Sequence, residues 1–283
     1  MQSLWMLLAS LLFACMGVCV KLAAAAHSAS EITFWRCAVA LILMFGLVRW
    51  RGVRLRTPHW RWQITRGTVG FSALFLYFHA ITLLPLATAV TLNYTSAIFL
   101  ALYMALTGWR VGRGVLFSLG LGLAGVALLL HPTLSAGQLW GALLGLLSGA
   151  LAGMAYFSVR ELGARGESET RTVFYFSLIS TVYAGLWLLF AGWSPISLES
   201  GLLLLGTGCF ATFAQLAMTR AFARGKTLVA AAIAYSTVIF SSLFGMWFWD
   251  EKLDASAWTA IGLIVLSGVA ATHFSRANPL EQD

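Results

Sequence analysis

The chain has 283 residues, of which 60% are hydrophobic and only 10% charged, against roughly a quarter charged in ordinary soluble domains. That composition excludes a domain whose surface is mainly in water. The formal net charge of +8 does not point to nucleic acid as a partner, because the basic residues fall at the ends of apolar runs, where membrane topology puts them.

Apolar stretches of about 20 residues recur along the chain, each long enough to cross a hydrocarbon core of roughly 30 Å as a helix. The first covers about 3–24. Small residues from Ala23 to Ala26 follow it as at a signal-peptide cleavage site, but no Lys or Arg precedes it and Lys21 comes late, so it reads as the first membrane helix. The next follow at about 31–50, 65–84, 86–108 and 113–131, and then at 138–160, 171–192, 199–222, 226–249 and 255–275. Every backbone polar group in such spans must be satisfied internally, which leaves helices as the sensible assignment. The expected fold is therefore an all-α membrane protein of about ten transmembrane helices.

The cations set an orientation. With the N-terminus in the cytoplasm, the inward segments hold Arg49, Arg51, Arg54, Arg56, Arg61, Arg66, Arg110, Arg113, Arg160, Arg165, Arg171, Arg220, Arg224, Lys226 and Arg276, which is 15 of the 18 Lys and Arg residues. Lys21, Arg36 and Lys252 fall towards the outer side. The positive-inside bias thus predicts both termini in the cytoplasm.

The chain also resembles itself. A shift of 141 residues brings Ala80 onto Ala221, Ala89 onto Ala230, Tyr94 onto Tyr235, Ile98 onto Ile239 and Phe99 onto Phe240, and Gly125 and Val126 fall near Gly268 and Val269. Near a shift of 138, Ala14 and Met16 fall on Ala152 and Met154. An odd number of helices per half turns the second half upside down, which predicts two inverted five-helix repeats, at 1–132 and 138–276, with a short tail at 277–283. Inverted repeats are a transporter signature, with the substrate site near mid-membrane between the halves.

Several motifs carry a family resemblance. Lys21 ends the first helix, Glu31 to Arg36 (EITFWR) opens the second, Ala80 to Ser96 (AITLLPLATAVTLNYTS) spans the third to the fourth, and Trp249 to Leu253 (WDEKL) precedes Trp258 and Gly262 near the last. In this order they resemble the drug/metabolite transporter superfamily, in its branch with two EamA domains, over nearly the full length. The resemblance implies a ten-helix bacterial permease of the inner membrane with no cofactor. Two departures stand out: Ala97 where family members often have a proline, which predicts a straighter fourth helix, and Thr107 to Arg110 where an acidic residue is usual.

The polar segments Asn93, Tyr94, Thr95, Ser96 and Tyr235, Ser236, Thr237 lie within apolar spans at equivalent depths. Polar groups in lipid cost energy unless they find partners, so these face either a substrate cavity or a neighbouring helix. The resemblance implies a cavity lined by helices 3, 4, 8 and 9, which adds Tyr77 and Gln215. Lys21, Glu31 and Arg36 form a second group. The two cations are candidates for binding a substrate carboxylate or phosphate; in the alternative reading Glu31 neutralises one of them and Lys21 snorkels to the interface. The expected substrate-binding set is Tyr77, Asn93, Tyr94, Ser96, Gln215, Tyr235, Ser236, Lys21 and Arg36.

No catalytic or metal site is expected. His79 has no second His or acid four residues away and reads as a packed or hydrogen-bonded residue, and Cys15, Cys19, Cys37 and Cys209 read as small packing residues. All ten Asp and Glu residues lie at helix ends, in loops or in the tail, so a buried carboxylate relay is not evident. That favours facilitated diffusion or exchange. Gly141, Gly145, Gly149 and Gly153 give one helix face where another backbone can approach, as an internal seam or in a homodimer. The expected activity is alternating-access transport of a small metabolite, an amino acid or related amphipathic compound, more in efflux than uptake. The competing readings are uptake of a vitamin, nucleobase or sulfonium metabolite, a channel, and a membrane-embedded enzyme acting on a lipid or sugar.

Overall fold

The structure is a computed structural model and describes residues 2–84, 86–131, 138–250 and 253–277. All regular structure among the described residues is helical. After a short turn at Gln2–Leu4, the helices are α1 (Trp5–Ala23), α2 (Ala29–Trp50), α3 (Trp60–Leu83), α4 (Leu86–Tyr94), α5 (Ser96–Leu106) and α6 (Arg113–Leu130). The second half repeats the order as α7 (Leu139–Ala164), α8 (Glu169–Ala191), α9 (Leu198–Arg224), α10 (Thr227–Ala234), α11 (Ser236–Trp249) and α12 (Ala255–Ala277). In each half the fourth span is split in two, so the twelve helices make ten crossings.

Local chemistry explains the helix starts. Ser28 caps α2 in a reciprocal box: its hydroxyl accepts from the Glu31 N–H at 3.3 Å, and its own N–H donates to the Glu31 carboxylate at 2.8 Å. Ser197 and Ser200 close a similar box at the start of α9. Nine of the spans among the described residues are long and apolar enough to cross a membrane; α3 falls outside that set. It also begins at Trp60, five residues before the predicted start at 65. Its first turns carry Arg61, Gln63 and Arg66, and Gln63 and Arg66 are buried inside the bundle, so a count of apolar residues misses them.

The fourth span is interrupted. It breaks at Thr95 although Ala97 replaces the expected proline, and the ninth span breaks at Tyr235. Hydroxyls bond back three residues at both points. Thr95 Oγ1 donates to the Leu92 carbonyl at 2.5 Å, Ser236 Oγ to Ile233 at 2.7 Å and Thr237 Oγ1 to Ala234 at 2.9 Å. Such back-bonding competes with the regular ladder and bends helices.

The packing respects an exchange of halves, with α1 answering to α7, α2 to α8, α3 to α9, the α4–α5 pair to α10–α11, and α6 to α12. Under that exchange the α3–α7 contact becomes α9–α1 and the α3–α8 contact becomes α9–α2, while α2–α8 and α6–α12 map onto themselves. All of these are among the most extensive contacts in the molecule. The glycine face of α7 is an internal seam. A Cβ on Gly145 would meet Leu92, one on Gly149 the Leu92 carbonyl, and one on Gly153 the Ser96 carbonyl, so α4 and α5 lie directly against the α7 backbone. The chain is a multi-pass membrane protein.

Candidate functional site

A cavity of about 290 Å³ lies between the two halves. Both halves build its wall. The first gives Met6, Phe13 and Met16 from α1, Arg36 from α2, Arg66 and Tyr77 from α3, Asn93 and Tyr94 from α4 and Ser96 from α5. The second gives Tyr156 from α7, Phe176 from α8, Gln215 and Phe222 from α9, and Tyr235 and Thr237 around the α10–α11 break.

The cavity thus gathers seven predicted residues: Tyr77, Asn93, Tyr94, Ser96, Gln215, Tyr235 and Arg36. Tyr94 and Tyr235, equivalent under the repeat, meet with ring centroids 5.7 Å apart and planes inclined at 56°. Tyr235 is completely buried, its ring packed on Gly122 of α6, where a Cβ would collide with it. Its hydroxyl and the Gln215 Nε2 have no hydrogen-bond partner among the described residues. Asn93 combines both of its expected roles: its amide donates to Ser148 Oγ of α7 at 3.1 Å, and it also lines the cavity.

Two predicted residues lie elsewhere. Ser236 is not on the cavity wall; its hydroxyl is spent on the Ile233 carbonyl at the helix break. Lys21 is also off the wall, with its ammonium 3.9 Å from the ring centroid of Trp249, where it ties α1 to the end of α11. Nor does Glu31 neutralise Lys21 or Arg36. Its carboxylate accepts from the Ser28 N–H and from the N–H and hydroxyl of Ser194, with His27 at 3.8 Å, joining the start of α2 to the α8–α9 connection. Glu251 and Lys252 of the last motif lie outside the described residues. His79 lies against Phe75 with ring centroids 4.4 Å apart and planes inclined at 42°, and its Nδ1 lies 3.1 Å from the Phe75 carbonyl.

Arg66 is a charged residue of the cavity wall that sequence reasoning missed. Counted with the inward loops, it is in fact 3% exposed and faces the cavity, its guanidinium 4.2 Å from the Phe176 ring centroid. Gly70, one turn further along α3, leaves the space its Nη1 occupies. Arg160, also counted with the loops, is buried in α7 with its guanidinium 3.6 Å from the Trp109 ring centroid and paired with Glu161. The signal for Arg66 was present: Gln63, Arg66, Gly70, Ala73 and Tyr77 follow helical spacing and make one polar, small-residue stripe.

The sequence matches the model of the EamA-like transporter family over residues 1–131 and 139–272. The chain belongs to that family. Among EamA relatives, the Pseudopaline exporter CntI of Pseudomonas aeruginosa is 33% identical over 269 residues, covering 94% of both chains. An uncharacterized transporter of Helicobacter pylori is 27% identical over 93% of this chain and 91% of its own. The riboflavin transporter of Vibrio cholerae is 24% identical over 96% and 93%. A solved crystal structure aligns over 98% of each chain with a TM-score of 0.86 at 20% identity, which supports the fold alone.

Proposed function

We propose that this EamA protein exports a small polar metabolite across the bacterial inner membrane by alternating access, with both termini in the cytoplasm. The observation that carries the reading is the Tyr94–Tyr235 pair. Equivalent residues of the two inverted halves meet at the breaks of the fourth and ninth spans, on the wall of one cavity. Broken helices at a repeat interface near mid-membrane are where transporters hold their cargo. The cavity volume of about 290 Å³ sits at the small end of the roughly 300–1,000 Å³ usual for ligand pockets, which suits a small molecule. The 33% identity to a protein named as an exporter supports efflux. Tyr77, Asn93, Tyr94, Ser96, Gln215, Tyr235 and Arg36 are the proposed contacts.

The test compares metabolites in medium and cells with and without expression, then measures counterflow of the affected compound in proteoliposomes. Expression should move at least one small metabolite into the medium, and Tyr235→Ala should cut the flux about tenfold or more, roughly 1.4 kcal/mol in the rate-limiting step, with insertion intact. Unchanged metabolite pools, or conversion of a lipid with no flux, would overturn the proposal.

A further inference from the structure

Arg36 and Arg66 both face the central cavity, and among the described residues no Asp or Glu lines it. The two enter from opposite membrane faces, because α2 and α3 are consecutive, antiparallel spans. Arg36 lies seven residues past the start of α2 and Arg66 six past the start of α3, about 10 Å and about 9 Å along the respective axes. Neither is at a helix end from which it would simply reach water. Phe176 of α8 is a common neighbour: Arg66 sits over its ring, and Arg36 lines a small adjoining void with Phe176 and Gln215.

The polar atoms on this wall are unbalanced in a particular sense. Arg36 Nε, Arg66 Nε, Gln215 Nε2 and the Tyr235 hydroxyl are all buried without a hydrogen-bond partner among the described residues. The first three donate only, and the fourth can donate. Buried donors and buried cations without acceptors are costly. A surplus of them around one cavity is complementary to a ligand rich in acceptors and negative charge. Elsewhere in the molecule three carboxylates pair with cations: Glu161 with Arg160 and Arg165, Glu167 with Arg171, and Glu169 with Arg224. None is on the cavity wall.

Resting on the transport reading above, we infer that the cargo is a small organic anion whose carboxylate groups are bound by Arg36 and Arg66, with Gln215 and the Tyr235 hydroxyl completing its hydrogen bonds. Four donors spread over α2, α3, α9 and the α10–α11 break suit acceptors distributed along a molecule, as in a compound with more than one carboxylate, better than the compact oxygens of a single phosphate. Tyr94, Phe13 and Phe222 offer the apolar wall for its carbon skeleton. Guanidinium groups bind carboxylates through paired parallel hydrogen bonds, which an ammonium cannot reproduce.

The experiment loads proteoliposomes bearing the full-length protein with four fractions of a bacterial small-metabolite extract: carboxylates, phosphate esters, neutral or zwitterionic compounds, and cations. Protein-dependent efflux is then read by mass spectrometry. The carboxylate fraction should supply the transported compounds. Arg36→Gln and Arg66→Gln should each lower that efflux at least tenfold, and Arg66→Lys should recover only part of it. Thermal unfolding of the same variants separates binding from scaffolding: removing an unpaired buried charge leaves the Tm unchanged or raises it, whereas loss of a structural contact lowers it.

Efflux confined to the neutral or cationic fractions would overturn the inference and leave the transport reading standing. Efflux of phosphate esters alone would overturn the carboxylate assignment. Both Arg→Gln variants lowering the Tm as well as the flux would make these side chains structural and likewise overturn it. Absence of protein-dependent efflux from every fraction would instead defeat the transport reading itself.

Discussion

Glu167, in the short connection between α7 and α8, shows how a single side chain locks one end of the bundle. It is 2% exposed at its side chain and receives the Thr57 hydroxyl, the Arg171 guanidinium and, at 3.2 Å, the His59 ring. Burial alone would raise its carboxyl, but those three hydrogen bonds outweigh burial and hold it below the usual carboxylate range. Because its folded-state value lies below the unfolded one, its stabilisation is complete above the ordinary value of 4.5 and fades as pH falls through the folded value. Glu167→Gln should therefore cost about 1–3 kcal/mol at neutral pH, and the gap to the native protein should close as the pH drops below 4.5. Thermal unfolding in detergent across a pH series checks this; a gap that widens in acid would refute it. At this scale much of the cavity wall was legible in the sequence. The repeat alone picked out Tyr94 and Tyr235, and the cost of a polar group in lipid picked out Asn93 and Ser96. Arg66 escaped because its helix begins at Trp60, with a polar first turn that looks like loop. Ser236 and Lys21 lie off that wall, since a hydroxyl inside a span can bond its own helix and a cation can settle on an aromatic ring.

At the scale of elements, the α7 seam and the broken spans belong together. Gly149 and Gly153 let α4 and α5 approach the α7 backbone on either side of the Thr95 break. The contacts a Cβ would make at Gly153 are with backbone, the Ser96 carbonyl at 2.8 Å and the Leu100 nitrogen at 3.0 Å, so a side chain there cannot be absorbed by a rotamer change. Gly153→Val should destabilise by about 1–3 kcal/mol. Gly46→Val, whose Cβ meets nothing within 4 Å, should be silent in the same thermal unfolding assay; equal effects would show that the seam is not special. The spacing of these glycines announced a close approach, but not its partner, which depends on tertiary packing. The breaks were harder to read. No proline or glycine marks Thr95 or Tyr235, and hydroxyls that bond back three residues, as these do to Leu92, Ile233 and Ala234, also occur in unbroken helices, as at Ser148 of α7.

For the whole molecule, hydropathy and the internal repeat were enough to anticipate the arrangement, because helix length is fixed by the bilayer and the inverted halves follow from an odd number of crossings in each. An even number of crossings puts the two ends on one face. Tags fused at both ends should react with a membrane-impermeant reagent only from the cytoplasmic side, and labelling from opposite sides would contradict that arrangement. The exchange symmetry of the helix contacts gives the two halves matching sets of interfaces. The cavity wall breaks the symmetry instead, since Arg36 and Arg66 both come from the first half. Among the described residues no carboxylate lines the wall beside these two cationic side chains, so under the inference of an anionic cargo the unloaded site carries net positive charge and the cargo cancels it. A charge moved through the full membrane voltage exchanges about 2.3 kcal/mol per 100 mV. On that inference, and with the alternating access proposed above, the electric field of an energised cell would act chiefly on the return of the empty protein and have little grip on the step that carries the cargo.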